Sequence, residues 1–387
     1  MTEMVFGATA VKSGEPAFAR WWRTVDRWVL GAIIILFVIG VFLGMAASPP
    51  LAAKHGYGTF YFVARQGFFG ILALTVMVYV SIQEPRRIKR WAVICFGLSF
   101  LALVLLPVFG TNYGKGAARW FSLGVISVQP SEFIKPVFVV FSAWLMSASY
   151  DISGPPGKTL SFGVAIVIAV LLVLQPDYGQ AALIISSWSL MFFIAGAPKK
   201  LMVGLGAAGA LAGMTAYKYS AHFASRINGF MSGDIDPTTQ IGFATEAIQE
   251  GGYFGVGIGQ GTIKWSLPDA HTDFIIAVAA EEFGLLLVLI IIGLFMFITM
   301  RSLILLRRER DPFNRLAGVG LAVMLGMQAF VNLGVAVRLL PTKGMTLPFI
   351  SYGGSSLLAI GVLFGMLLAF TRRRPQNDMG EILERRQ

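Results

Sequence analysis

Ten long stretches without Asp, Glu, Lys or Arg run through this 387-residue chain, and they restrict its fold more than any other feature. A helix that crosses a membrane needs about 20 mostly apolar residues. Charged residues make up 13% of the chain, whereas soluble domains carry roughly 25%. The pattern therefore predicts an all-α integral membrane protein with ten transmembrane helices. The stretches are Val29–Ala53, Gln66–Gln83, Trp91–Gly114, Pro136–Tyr150, Thr159–Pro176, Tyr178–Pro198, Leu201–Tyr217, Phe283–Met300, Leu316–Val337 and Gly344–Thr371.

The segments between these stretches suggest the domain boundaries. We expect a cytoplasmic N-terminal segment (1–27), a ten-helix membrane domain (28–372) and a cytoplasmic tail (373–387). Charges in their first turns place the start of the fourth helix near Ser131 and of the eighth near Thr272. Two outer loops are long, at about 110–130 and, between helices 7 and 8, at about 218–271. Glycines at 251–261 favour a flexible or re-entrant loop, because no strand precedes them as in phosphate-binding loops.

The basic residues predict the orientation. Lys and Arg are enriched in the cytoplasmic connections of membrane proteins. With the N-terminus inside, 21 of the 31 Lys and Arg residues fall in inner segments, so both termini should be cytoplasmic. The net charge of +11 is then a topology signal that faces anionic lipids, and it gives no reason to expect nucleic acid as a partner.

Cysteine and histidine content excludes several classes of site. The single cysteine, Cys95, cannot form an internal disulfide or a cysteine-based metal centre. Three histidines are too few for a histidine-rich metal site.

Ionisable residues collect at the outer ends of the predicted helices. Glu132 and Lys135 begin the fourth helix, Asp177 begins the sixth, Asp273 begins the eighth, and Lys343 lies just before the tenth. Such residues at membrane depth are costly and are candidates for function. We therefore expect an outward-facing crevice that binds a charged headgroup, beside apolar helices that accommodate a lipid tail.

Ordinary structural roles compete with this hypothesis. Glu132 and Lys135 are three residues apart and can pair with each other on a helix. Asp177 and Asp273 would each sit in a first turn, where the helix dipole favours an acid. Their residue types alone leave both interpretations open.

The remaining candidates are equally ambiguous. Glu281 lies eight residues after Asp273, or about 12 Å along a helix, so Glu281 and Glu282 are either buried partners or chemical groups. His271 could orient its neighbours within a loop, and Trp120, beside Arg119, could be an interfacial anchor.

Four segments at the outer side of the expected helices carry a combined pattern: Lys115–Trp120 with Gln129–Pro136, Gln175–Asp177, Leu267–Phe274 with Glu281–Gly284, and Pro341–Ser355. Taken in order along the chain, they resemble the SEDS family of bacterial cell-wall polymerases. The resemblance covers about residues 25–372, and Pro-Thr-Lys-Gly at 341–344 is closer to the cell-division branch than to the elongation branch. The family's ten-helix topology with both ends inside agrees with the count above.

The resemblance implies a peptidoglycan glycosyltransferase that polymerises lipid II on the outer face of the membrane. Asp273 matches the family's essential aspartate and would act as general base, in a single inverting displacement of undecaprenyl pyrophosphate. Cations would stabilise the leaving group. The substrate-binding candidates are Arg119, Trp120, Glu132, Lys135, Asp177, His271, Lys343, Ser351 and Tyr352.

The resemblance also implies partners and a location. We expect a divalent cation, Mg²⁺ or Mn²⁺, as a candidate cofactor, and no organic cofactor. The expected partners are lipid II, the nascent glycan strand, a class B penicillin-binding protein, other divisome proteins and membrane lipids. The expected location is the bacterial cytoplasmic membrane at the division septum.

Three other functions remain open from the sequence. A flippase for the lipid-linked precursor would need a polar path across the membrane. An ion-coupled transporter would use Glu281 and Glu282 as coupling sites. A structural divisome scaffold would need no chemistry.

Overall fold

Helices account for almost all the regular structure of the chain. The computed structural model describes residues 16–111, 119–122, 124, 127–151, 153–231, 239–341 and 344–373. Two short strands, β1 (Phe121–Ser122) and β2 (Ser127–Val128), pair antiparallel, and a 3₁₀ turn covers Ile263–Trp265. The helices are α1 (Ala17–Thr24), α2 (Arg27–Lys54), α3 (Tyr61–Ile82), α4 (Pro85–Phe109), α5 (Pro130–Ala148), α6 (Gly157–Leu174), α7 (Tyr178–Ile194), α8 (Lys199–Tyr219), α9 (Ala221–Met231), α10 (Gln240–Gly251), α11 (Ile275–Arg307), α12 (Pro312–Ala336) and α13 (Gly354–Phe370).

Each of the ten apolar stretches overlaps one of these helices, namely α2–α8 and α11–α13. Within the described residues, seven helices are long and apolar enough to cross a membrane: α2, α3, α4, α5, α6, α11 and α12. Helices α7 and α13 are apolar but shorter, and α8 is rich in Gly and Ala. The prediction of a mostly helical membrane protein is confirmed.

Two helices begin later than the apolar pattern suggests. The helix of the eighth stretch begins at Ile275. Asp269 has a left-handed backbone (φ 54°), and the N–H groups of Thr272 and Asp273 donate to its carbonyl oxygen, so the residues before the helix form turns. The tenth becomes helical only at Gly354. Its earlier part contains Pro348, which has no N–H to donate within a helix. The predicted start near Ser131 differs by one residue, since α5 begins at Pro130.

The predicted outer loop at 218–271 contains α9, α10 and the 3₁₀ turn. Its glycines lie against α11, which is broken at Gly284 (φ 79°). The Val256 N–H donates to the carbonyl oxygen of Glu281 at 2.8 Å, and a Cβ at Gly255 would clash with the backbone of Glu282. The glycines therefore allow backbone to approach backbone at the break.

Small and amide side chains bring the helices together in the core. Gly365 lets α13 lie on α3, since a Cβ there would be 2.8 Å from the carbonyl oxygen of Met77. The buried Gln66 side chain of α3 donates to the carbonyl oxygens of Gly40 and Ile350, both at 3.0 Å. Small residues and interhelical hydrogen bonds of this kind are typical of packing in membranes.

Asp26 connects the start of α2 to α11. Its carboxylate accepts from the backbone N–H groups of Trp28 and Val29, which caps α2, and from the Arg301 guanidinium at 2.6–3.0 Å. Burial raises the pKa of the Asp26 carboxyl, but Arg301 and the two N–H groups outweigh burial and leave the pKa below its ordinary value.

We predict that Asp26→Ala lowers the free energy of unfolding by about 1–3 kcal/mol, because the cap and a charged hydrogen bond are both lost. A carboxyl with a lowered native pKa stabilises the fold at neutral pH, and this contribution disappears as the pH falls below about 4. Asp26→Asn keeps the cap and should lose only the pH-dependent part of the free energy of unfolding. Thermal unfolding in detergent at several pH values measures the stability of both variants and its pH dependence. Equal pH dependence in wild type and Asp26→Asn would contradict the pairing with Arg301.

Candidate active site

A cavity of about 750 Å³ lies where the ends of α3, α5, α9 and the turns before α11 and α13 meet. Its lining combines three cationic side chains, several acids and aromatic rings. The charged and ring-bearing residues of this lining include Arg65, Arg119, Arg226, Asp273, His271 and Tyr352.

Asp273 lies in the turn before α11 and is held from two sides. The Asn332 amide donates to the backbone carbonyl oxygen of Asp273 at 3.1 Å and to that of Met345 at 2.6 Å. A Cβ at Gly344 would stand 3.1 Å from Oδ2 of Asp273. The carboxylate therefore faces the chain that leads into α13, and a larger residue at 344 would require the carboxylate to shift slightly.

Two arginines form a cationic part of the lining. Arg119 donates to the carbonyl oxygens of Gln175 and Pro176 at 3.1 and 2.7 Å, which uses two of its five N–H donors. Burial and the neighbouring Arg119 lower the pKa of Arg226, while Asp177 and Asp273 oppose this shift. Arg226 remains charged, because an arginine pKa stays far above neutrality.

Asp177 is buried behind this cationic part, in the turn between α6 and α7. Burial raises the pKa of its carboxyl, and the Glu132 carboxylate adds to the increase. Arg119 and Lys135 act in the opposite direction. Asp177 therefore belongs to a cluster of alternating charges that reaches from the cavity lining into the bundle.

A closed ring of buried and half-buried hydrogen bonds supports the floor of the cavity. Glu132 pairs with Lys135 at 2.9 Å, and Lys135 donates to Gln328 at 3.2 Å. Gln328 donates to the carbonyl oxygen of Thr346 at 3.0 Å, and the Thr346 hydroxyl contacts Ser356 at 2.6 Å. The Ser356 hydroxyl returns to Glu132 at 3.2 Å. The ring joins α5, α12 and α13, and Gln180 of α7 adds a further bond to Glu132 at 2.6 Å.

The comparisons with known proteins agree with this architecture. A family model described as "Cell cycle protein", which covers FtsW, RodA and SpoVE, matches residues 27–376. The chain belongs to this family. The resemblance to the SEDS family is thereby confirmed.

Curated relatives and solved structures extend the match over most of the chain. A protein of Caulobacter vibrioides named "Probable peptidoglycan glycosyltransferase FtsW" is 42% identical over 366 residues, 94% of this chain and 93% of the relative. A Trichlorobacter lovleyi protein of the same name is 34% identical over 357 residues, 88% and 92% of the two chains.

Among solved structures, the Thermus thermophilus rod shape determining protein RodA superposes with a TM-score of 0.65 at 26% identity, over 90% of this chain and 97% of that chain. A chain from a structure titled "Structural coordination of polymerization and crosslinking by a peptidoglycan synthase complex" superposes with a TM-score of 0.73 at 28% identity, with the same coverage.

Six of the residues predicted from the sequence line this cavity: Arg119, Trp120, Glu132, His271, Asp273 and Tyr352. Lys135 and Asp177 are buried behind the lining. Ser351 does not line the cavity, because it is buried and its hydroxyl accepts the Leu347 N–H at 2.9 Å. Lys343 lies outside the described residues.

Glu281 and Glu282 are buried and hold the loop that precedes the 3₁₀ turn. Glu281 accepts the N–H groups of Ile263 and Lys264 at 2.7 and 3.2 Å. Glu282 pairs with the Lys264 ammonium and accepts the Gly259 N–H at 3.0 Å. Of the two roles left open by the sequence, the geometry gives these carboxylates the role of buried partners.

Four residues of the site were missed by sequence reasoning: Arg65, Arg226, Gln328 and Asn332. Arg65 lies in the first turns of α3, as a cation among apolar residues. Gln328 and Asn332 are amides four residues apart on an otherwise apolar stretch of α12, a spacing that places them on one helix face. That spacing was the available signal. Arg226 had none, since it lies in a segment predicted as loop.

The described residues contain no group of three His, Cys, Asp or Glu side chains that could hold a metal ion. These residues therefore do not form a complete metal cage by themselves. A Mg²⁺ ion usually needs only one or two carboxylates when a substrate's phosphates supply further ligands.

We predict that Lys135→Met lowers the free energy of unfolding by about 3–5 kcal/mol, because it leaves the Glu132 carboxylate buried without its cation. The double variant Lys135→Met with Glu132→Gln removes the stranded charge and should recover most of the loss. Thermal unfolding in detergent compares the three proteins. A single variant as stable as the wild type would contradict the ring.

Proposed function

We propose that this protein is a peptidoglycan glycosyltransferase that polymerises lipid II into glycan strands on the outer face of the cytoplasmic membrane. The observation that carries the proposal is the Asp273 carboxylate in a cavity that Arg119 and Arg226 also line. The names of the FtsW relatives support the activity.

The proposed reaction needs one base. A sugar 4-hydroxyl loses its proton as its oxygen attacks the anomeric carbon of the other chain. Asp273 accepts that proton, a step that a positioned carboxylate accelerates by about 10²–10⁴. The bond from the anomeric carbon to undecaprenyl pyrophosphate breaks in the same step, so the linkage inverts and no covalent enzyme intermediate is needed.

The leaving pyrophosphate gains negative charge, and fixed cations stabilise such charge. Arg119 and Arg226 are suited to this task because both are present in the cavity lining. Lys135, one of the substrate-binding candidates, is less suited to this task, because its ammonium is engaged by Glu132 and Gln328. We assign Lys135 instead to orienting Glu132.

The proposal includes a topology and a cellular setting. Ten spans with both termini inside fit the ten helix-containing stretches and the basic inner segments. We further propose a role in septal synthesis, other divisome proteins as partners, and a class B penicillin-binding protein that cross-links the strands, in line with the synthase-complex neighbour. A Mg²⁺ or Mn²⁺ ion would be held chiefly by the substrate's pyrophosphate.

The alternatives draw less support from the geometry. A coupled transporter would use Glu281 and Glu282, yet both bind the loop at 259–264. A flippase would need a polar path through the bundle, whereas the cavity that holds Asp273 lies at helix ends. A scaffold would have no use for Asp273.

We predict that Asp273→Asn reduces lipid II polymerisation by about 10²–10⁴, because the amide cannot accept the proton. The purified protein, with its transpeptidase partner, is given lipid II, and glycan strands are separated on a gel. Asp151→Asn makes the same chemical change at an exposed position between α5 and α6 and should leave the rate unchanged.

Polymerisation by Asp273→Asn at the wild-type rate would contradict the proposed base. Passage of lipid II across liposome bilayers without polymerisation would favour the flippase.

A further inference from the structure

A second cavity, of about 270 Å³, adjoins the candidate active site. Asp269 and His271 line both cavities, so the second begins where the first ends. Its other walls come from the end of α2, with Lys54 and His55, and from the 3₁₀ turn, with Trp265. The proposed reaction uses none of these three residues.

A continuous series of aromatic rings leads along this side of the site. The rings of Tyr57 and Tyr61 are stacked with their centroids 4.4 Å apart. Phe62 meets Tyr57 edge-on at 6.0 Å, and it contacts Tyr352 at 5.7 Å and His271 at 6.1 Å. We call Tyr57, Tyr61 and Phe62 the aromatic shelf. It ends at two residues that line the active-site cavity.

The outer part of the shelf is open to solvent. Tyr57 is 50% exposed, Tyr61 is 38% exposed, and Trp265 across the second cavity is 58% exposed. Aromatic belts at a membrane surface explain single exposed rings. They do not explain a stacked pair that continues into the walls of a catalytic cavity.

We propose that the aromatic shelf and the second cavity together bind the saccharide strand beyond the two reacting sugars. This inference rests on the proposed function, which it deepens by adding a subsite for the polymer. Pyranose rings present C–H groups on their faces, and these groups contact the electron-rich faces of aromatic rings. Their hydroxyls find partners in the polar groups of the second cavity.

The chemistry of the second cavity distinguishes a sugar from the other parts of the substrate. Lys54, Ser266 and Asp269 offer hydrogen-bonding groups that a lipid tail could not use. A surface that combines aromatic faces with hydroxyl-binding groups of both charge signs fits a polyhydroxylated chain.

Cations beside the shelf fit the acidic peptides that such a strand carries. The Arg65 guanidinium lies over the Tyr61 ring at 5.7 Å, and it also lines the active-site cavity. Lys54 ends α2 at the second cavity. Carboxylates on stem peptides would meet these two charges while the sugars lie on the rings.

A strand-length assay tests the subsite. The double variant Tyr57→Ala and Tyr61→Ala should release strands about fivefold shorter on average, the factor that corresponds to roughly 1 kcal/mol of lost stacking. Its initial rate of lipid II consumption should stay within about twofold of wild type, since Asp273, Arg119 and Arg226, the groups that the proposed reaction uses, are unchanged. Tyr57→Phe with Tyr61→Phe keeps both ring faces and should make strands of wild-type length.

Phe60 provides the matched control. It is 63% exposed in the same loop, but it is not part of the shelf. Phe60→Ala should make strands of wild-type length. Wild-type lengths in the Tyr57→Ala, Tyr61→Ala protein, or equal shortening in Phe60→Ala, would overturn the proposal.

A footprinting experiment on the unmodified protein does not depend on how well a variant folds. A lipid-free peptidoglycan tetrasaccharide is added, and hydroxyl-radical labelling of Tyr57, Tyr61 and Trp265 is measured by mass spectrometry. The subsite predicts protection of all three, and unchanged labelling would overturn it. Protection in a protein that makes no polymer would refute the proposed function and leave the saccharide site standing.

Discussion

Gln328 and Asn332 lie one helical turn apart on α12, and their amides bind the carbonyl oxygens of Thr346 and Met345. These carbonyls belong to the non-helical segment at 344–353, which precedes α13. Backbone without helical hydrogen bonds is tolerated at membrane depth only where the protein itself satisfies it. Gln66 does the same for Ile350, and the Ser351 hydroxyl accepts the Leu347 N–H. Side-chain amides thus permit an irregular segment inside an apolar bundle.

The candidate site depends on that segment. Gly344 packs beside the Asp273 carboxylate, and the same Asn332 amide that binds Met345 also binds the Asp273 carbonyl. Gln328 connects Thr346 to the Glu132–Lys135 pair. Hydrogen bonds from α12 therefore fix the positions of Asp273 on one side of the cavity and of the Glu132–Lys135 pair on the other. Hydrogen bonds in a buried network support one another, although the side-chain oxygens of Asn332 and Gln66 are buried without a hydrogen-bond partner among the described residues.

The sequence predicted the helical membrane class and most helix positions, because apolar runs must be helical in lipid. It also predicted that Asp273, Glu132 and His271 lie close together, because residues at the same side of the membrane come from helix ends that meet there. It failed where backbone departs from a helix. The left-handed Asp269 delays the start of α11, and the break at Gly284 becomes evident only when the glycine loop packs against it. Arg226 could not be found, because its position depends on the fold of a segment between spans.

If the amides of α12 position the Asp273 carboxylate for chemistry, the substitution Asn332→Leu should slow lipid II polymerisation, which steady-state kinetics would measure. Small misplacements of a catalytic group cost up to about a hundredfold in rate. We expect a kcat lowered about ten- to a hundredfold with KM unchanged, in a protein that still unfolds cooperatively. A wild-type kcat in Asn332→Leu would contradict this positioning.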